Sequence, residues 1–477
     1  MKEVLRGIVD GLKRKKIGYA DARYVELEDE TLAARNGVLE VNSHGHSRGI
    51  GVRVLWKGSW GFAATNDLTD LGVGDRALAV AQATHCASAE PARLAKVKPA
   101  IANWKTAHQK DPFSVPLEKK VGLLTSLSAA LKKGKKIQAA DASYSAYKTR
   151  KVFASSEGAL ISQEIVECGA GMTAVAAENG VVQSRSYPSS HRGDFATRGW
   201  EFVESLLMPD HVERVRDEAV ALLDAPDLPE GTYDLILWGP QLALQVHESC
   251  GHPIELDRVL GTEQSLAGGS FLQPDKLGKF RYGSDQVTIT LDGTIPGGLG
   301  SYGFDDEGVP TAREAVIDRG RFVGYLTSRE TAAKMKLRPN GAMRADSWSR
   351  IPLIRMMNIS LEPGDWEPEA LLADSEGAIL LDINKSWSID DRRLNFQFGC
   401  EAAWQIRGGK RAKLFRNPIY SGMTPKFWGS CDAVCSRPHW RVWGVPNCGK
   451  GVPGQTARVG HGAAPARFRG VQMGASK

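Results

Sequence analysis

The stretch "HESCGH" at positions 247–252 sets two histidines and a glutamate within one short segment. Imidazole and carboxylate are side chains that bind a transition metal and move a proton. The arrangement is close to H-E-x-x-H, in which two histidines four apart share one helix face and hold Zn²⁺ while the glutamate serves as general base. Here the second histidine comes one position later. On a regular α-helix, positions five apart stand about 140° apart around the axis, against about 40° for positions four apart. His247 and His252 can therefore share a metal only where the backbone departs from α geometry. A single π turn takes up one extra residue and restores the common face. Alternatively the helix ends at Cys250-Gly251 and His252 arrives from the following turn, glycine supplying the backbone freedom. Pro253 ends regular helix close by.

A catalytic zinc site needs a third protein ligand and an open fourth position. Cys250, Glu255 and Asp257 lie within reach of the motif, and Cys448 stands far along the chain in the glycine-rich "NCGKGVPGQ". A different use of metal is also written in the sequence. "CDAVCSRPHW" at 431–440 followed by Cys448 offers Cys431, Cys435, His439 and Cys448 as a closed structural zinc cluster, which would suit a non-catalytic peptide-binding or scaffolding subunit. The glycines after Cys448 lack the G-x-x-x-x-G-K-[ST] spacing of a phosphate cradle. Asp305, Asp306 and Glu307 in "FDDEG" read as a turn.

The elements that must carry these groups fall into two differently built halves. Residues 1–16 form an amphipathic pattern. From Ala22 to about Asn66 the chain alternates as a β-meander with a turn at Asn36-Gly37. Helical segments follow at about 74–90 and 117–133, and a second strand group then turns at 155–158 and 178–180. A helix at about 209–223 has Asp210 as a plausible N-cap and Glu213 as its capping-box partner. "TYDLILWG" reads as a buried strand feeding a short helix with the motif on its C-terminal half. The runs beyond it read as antiparallel strands and hairpins. The fold class is therefore α+β, with an N-terminal domain at 1–208, a connecting helix and linker at 209–230, and a strand-rich antiparallel C-terminal domain at 231–477.

Composition narrows the function classes. The chain has 477 residues, a formal net charge of +6, 42% hydrophobic and 24% charged residues, an ordinary globular balance. The basic runs at 12–16 and 131–136 carry no aromatics and read as solvated helix ends, so no nucleic-acid partner is expected. No run reaches the roughly 18 apolar residues of a membrane span, and the N-terminus lacks the apolar core of a signal peptide. A cytoplasmic protein without a membrane partner is expected. Seven scattered cysteines argue for free thiols or metal ligands over a disulfide framework.

Taken together, "HESCGHPIELDR", "GSYGFDDEGVP" at 300–310, "IPLIRMMN" at 351–358 and "VPNCGKGVPGQ" at 445–455 resemble the TldD/PmbA family of metalloproteases, in order and over most of the chain. The resemblance is to the catalytic, TldD-like subunit, which keeps the motif. It implies one zinc per chain held by His247, His252 and Cys448, with Glu248 as catalytic base in the hydrolysis of peptide bonds. It also implies a homodimer, or a heterodimer with a motif-less paralogue. A thiolate ligand lowers the net charge at the metal, so modest turnover on unfolded or short peptides is expected. The resemblance gives no role to Asp305, Asp306, Glu307 or His461.

Overall fold

The computed structural model describes residues 1–87, 90–263 and 268–475. Helix α1 (Lys2–Lys13) packs Leu5, Ile8, Val9 and Leu12 inward, the spacing of one apolar helix face. The meander follows as β1 (Tyr19–Arg35), β2 (Val38–Trp56) and β3 (Ser59–Thr65). Asn36 and Gly37 both take positive φ, as a two-residue hairpin turn requires. After α2 (Val73–Ala83), β4 (Ile101–Lys105) and α3 (Leu117–Leu131), the second strand group runs as β5 (Ile137–Ser155), β6 (Leu160–Glu178), β7 (Val181–Tyr187) and β8 (Asp194–Ala196).

The two strand groups make one sheet. Its order is β3-β2-β1-β5-β6-β4, with β7 and β8 also pairing on β6, and β1 joins β5 antiparallel from Asp21↔Ser155 to Arg35↔Asp141. A short helix α4 (Trp200–Ser205) leads to α5 (Met208–Asp224). Met208, Val212, Val215, Ala219 and Leu223 of α5 enter the core of the N-terminal sheet. The expected cap is displaced here. The residue before the helix is Leu207 in left-handed conformation, and Asp210 lies inside the first turn. Pro209 explains the earlier start, since proline lacks only an N–H that the first turn leaves unpaired anyway. Asp210 still places its charge at the positive end of the helix.

In the C-terminal half, β9 (Gly231–Leu237) sits inside a nine-stranded sheet, antiparallel to Ala466–Ala475 and parallel to Ile379–Leu381. Strand Ile379–Leu381 pairs Ala402–Arg407, and Asn384–Ile389 pairs Asn395–Cys400. Glu401 N–H donates to Ile383 O between them. These four strands are thus one long bent hairpin that reaches both sides of the sheet order. Helix α6 (Gly239–Val246) follows β9, and all residues from Pro240 to Val259 are buried. No helix among the described residues is long and apolar enough to cross a membrane.

The acidic run at 305–307 fastens the halves together. Asp305 accepts from the backbone N–H of Glu307, Val309 and Met343, the turn its composition suggests. Asp306 meets Arg23 at 3.2 Å and Lys151 at 3.1 Å, and Glu307 meets Arg53 at 3.4 Å, all partners on the N-terminal sheet. Burial alone would raise the Asp306 carboxyl, but Lys151 and Arg23 outweigh it and hold the group below its ordinary value. Asp306→Asn leaves two buried cations uncompensated, so stability should fall by about 3 kcal/mol in urea unfolding. A depressed carboxyl stabilises above its unfolded pKa. The difference from the wild type should therefore be full above the ordinary value of 3.8 and vanish as pH falls through the lower folded value.

Candidate metal centre

The helix irregularity required by the spacing is present. Residues His247–Gly251 form one π turn continuing α6, and His252 N–H donates to His247 O, five residues back. A 3₁₀ turn over His252–Ile254 follows, with Pro253 in its first turn. Gly251 is needed for packing, because a Cβ there would stand 2.1 Å from Met356 Sδ. The π turn brings the His247 and His252 rings to 4.8 Å between centroids at 86°.

The third group comes from a distant hairpin. Strands Arg441–Lys450 and Gln455–Ala463 pair with a register shift between Val445 and Cys448. This hairpin carries Cys448 to 3.8 Å from His252 Nε2. One ligand atom each from His247, His252 and Cys448 lies within 4.8 Å of the others, and all three residues are buried. Among the described residues this is the one such group of His, Cys, Asp or Glu. Cys431, Cys435 and His439 are not gathered with Cys448. His439 is bonded to Glu367 instead, and burial pushes the Cys431 and Cys435 thiols up to about 12. The scaffolding zinc cluster is therefore not assembled by the fold, because Cys448 lies on a hairpin that turns it towards the motif helix.

The nearer candidates for a third ligand are engaged elsewhere. Glu255 Oε2 accepts from His252 Nδ1 at 3.0 Å and from Arg258. Asp257 accepts from Lys450 Nζ at 2.8 and 2.9 Å. Cys250 faces Tyr282, whose hydroxyl lies 3.5 Å from its sulfur, and burial raises that thiol to about 12. Cys448 behaves differently. Burial alone would raise it, but His252 and the Arg355 guanidinium draw it below its ordinary value. It is the one buried cysteine whose thiol shifts towards the thiolate, the form that binds metal.

The hydrogen-bond partners also fix the tautomers. The carbonyl of Ile359 can only accept, so His461 carries its proton on Nδ1, 3.0 Å away. His461 Nε2 then accepts from His247 Nδ1 at 2.7 Å, which leaves the His247 Nε2 lone pair open. Burial alone would raise the Glu255 carboxyl, but Lys450, His252 and Arg258 outweigh it and hold the group well below the usual carboxylate range. His252 therefore donates from Nδ1 and offers Nε2 towards Cys448. Burial lowers the pKa of both motif histidines and so disfavours their charged forms. Two imidazole lone pairs and a thiol prone to ionise match the donor set that divalent zinc prefers.

Glu248 Oε2 accepts from Arg393 Nη1 at 3.0 Å, at the tip of the hairpin Asn384–Cys400. The cleft above is about 240 Å³ and is lined by His247, Glu248, His252, Cys448, Arg393 and His191 among others. Sequence reasoning singled out neither Arg393 nor His191 and gave His461 no role. The "VGHG" segment was the available signal for His461, whereas nothing near Arg393 marks it.

Comparison with known proteins agrees along the whole chain. Family models described as PmbA/TldA metallopeptidase domain 1, central domain and C-terminal domain match residues 20–87, 110–223 and 230–474. A metalloprotease of Methanocaldococcus jannaschii is 33% identical over 448 residues, covering 93% of this chain and 94% of that protein. A protein named zinc metalloprotease TldD homolog, from Saccharolobus solfataricus, is 23% identical over 475 residues, covering 97% and 98%. The solved structure of TldE from Thermococcus kodakarensis shares the fold, with a TM-score of 0.73 at 16% identity over 98% of this chain and 99% of that one. This chain belongs to the PmbA/TldD family of metallopeptidases.

Proposed function

We propose that the chain is a zinc-dependent peptidase acting on unfolded or short peptides, with one zinc per chain held by His247, His252 and Cys448 and with Glu248 as general base. The observation that carries this is the meeting, within 4.8 Å, of two imidazole nitrogens and a buried thiol sulfur, beside a carboxylate lining the same cleft. Zinc bound there would supply Lewis acidity towards water and towards a peptide carbonyl. The protein's own groups do the rest. His461 and Glu255 hold the two motif rings by their Nδ1 protons, so neither ring can turn its lone pair away. Arg393 holds one oxygen of Glu248, and the other is left to accept the proton of the attacking water and return it to the leaving amine.

Strand Asn384–Ile389 lies at the end of its sheet order, and its Trp387 lines the cleft. That placement supports an extended peptide added along the edge by main-chain hydrogen bonds, with little demand on side chains. The partner consistent with this family is a second copy or a motif-less chain of the same fold. The test is hydrolysis of a fluorophore-labelled unstructured peptide by the purified chain. Activity should be lost on chelation and regained on adding zinc. A chain that contains zinc yet cleaves no peptide, alone or with its partner, would overturn the reading.

A further inference from the structure

Among the described residues, the cleft is lined by the C-terminal half with one exception, His191. This residue arrives on the loop between β7 and β8 of the N-terminal sheet. His191 N–H donates to Ser189 Oγ at 3.1 Å and Gly193 N–H donates to Ser189 O at 3.2 Å. Gly193 has φ +108, and a Cβ on it would stand 1.8 Å from Ala170 O, so the loop is pressed flat on β6. The imidazole is thus delivered from a fixed base. Its Nε2 has less than 1 Å² exposed and no hydrogen-bond partner among the described residues.

A sealed, unpartnered ring nitrogen carries a desolvation cost, and a residue kept only for packing against Trp387, 5.7 Å away between ring centroids, would avoid that cost as Phe or Leu. Burial lowers the His191 pKa to about 4. The ring is then neutral at physiological pH and carries one N–H. Trp387 and Arg393 belong to one hairpin, so the ring packed against His191 and the partner of Glu248 are carried by the same element.

We propose that His191 is a substrate-contacting catalytic residue, donating a hydrogen bond from Nε2 to the oxygen of the scissile carbonyl as that oxygen gains negative charge. The proton stays on Nε2 throughout, and no bond to His191 forms or breaks. Nε2 is sealed until an entering peptide displaces Trp387, and from then on a neutral donor on a fixed base needs no further reorganisation as charge develops. The inference rests on the peptidase reading above, and it adds that the N-terminal half completes the site.

The test compares wild type, His191→Phe and His191→Gln, all zinc-loaded, in two assays. Turnover of an unstructured peptide reports the reaction. Calorimetric affinity for an alanine tripeptide phosphinate, whose tetrahedral oxygens stand in for the developing oxyanion, reports the contact without turnover. Affinity for the uncleaved peptide is read in the Glu248→Gln background. His191→Phe should lower kcat and phosphinate affinity on the order of 10²-fold, with zinc content, melting temperature and peptide affinity changed little. His191→Gln, which keeps an amide donor, should recover part of both. Should His191→Phe fail to fold, His191→Ala is read the same way. Wild-type values of kcat and phosphinate affinity in the variants would overturn this inference and leave the peptidase reading standing. A zinc-loaded wild type that neither cleaves the peptide nor binds the phosphinate would overturn both.

Discussion

Glu248→Gln should retain its zinc and lose peptide hydrolysis by about 10³-fold or more in kcat. General-base contributions run about 10²–10⁴-fold, and the upper part of that range applies where no other carboxylate can take over. That condition holds here, because Glu255 is occupied by His252, Arg258 and Lys450, and Asp257 by Lys450. The amide keeps the volume of Glu248 and can still accept from Arg393, so the hairpin tip need not move. Zinc content by elemental analysis and kcat on a labelled peptide are measured together. Equal turnover in the variant would remove Glu248 from the reaction, and loss of zinc would instead make it a group that shapes the metal site.

The second large effect is on the metal itself. His247→Ala and Cys448→Ala should each take bound zinc from one per chain to almost none after dialysis, whereas Cys435→Ser and His439→Ala should leave it unchanged. The contrast follows from the fold, which joins Cys448 to the motif helix and leaves His439 on Glu367. His461→Leu should lie between. It removes the acceptor that fixes the His247 tautomer but no ligand, and lost outer partners of this kind cost about 10–100-fold in metal affinity. Zinc retained by Cys448→Ala and lost by Cys435→Ser would overturn the assignment. Calcium or magnesium in place of zinc is not expected, since those ions take oxygen ligands.

Much of the frame is local and was legible. The Asn36-Gly37 turn, the helix at α3 and the hairpin at 402–416 follow from turn chemistry and hydrophobic period, which act over a few residues. Asp210 was misplaced as a cap because a proline one position earlier competes for the same helix start. The merging of both N-terminal strand groups through β1 and β5 was not legible. Pairing of Tyr24 with Val152 depends on contacts between residues far apart in the chain, and no local pattern specifies it.

The sequence alone determined the chemistry available: two histidines and a glutamate at a spacing no regular helix can use, a glycine and a proline where the irregularity must fall, and a distant thiol in a glycine-rich segment. Only the tertiary structure decided where each group stands. The motif runs on as a π turn rather than a broken helix, Cys448 rather than Cys250, Glu255 or Asp257 lies with the two histidines, and Glu255 accepts from His252. His461, Arg393 and His191 gained their places only from the hairpins and the loop that carry them into the cleft. The reason is that ligand identity is a property of side-chain type, written residue by residue. Ligand selection depends on distance, burial and the charge of neighbours, which exist only once the chain has packed.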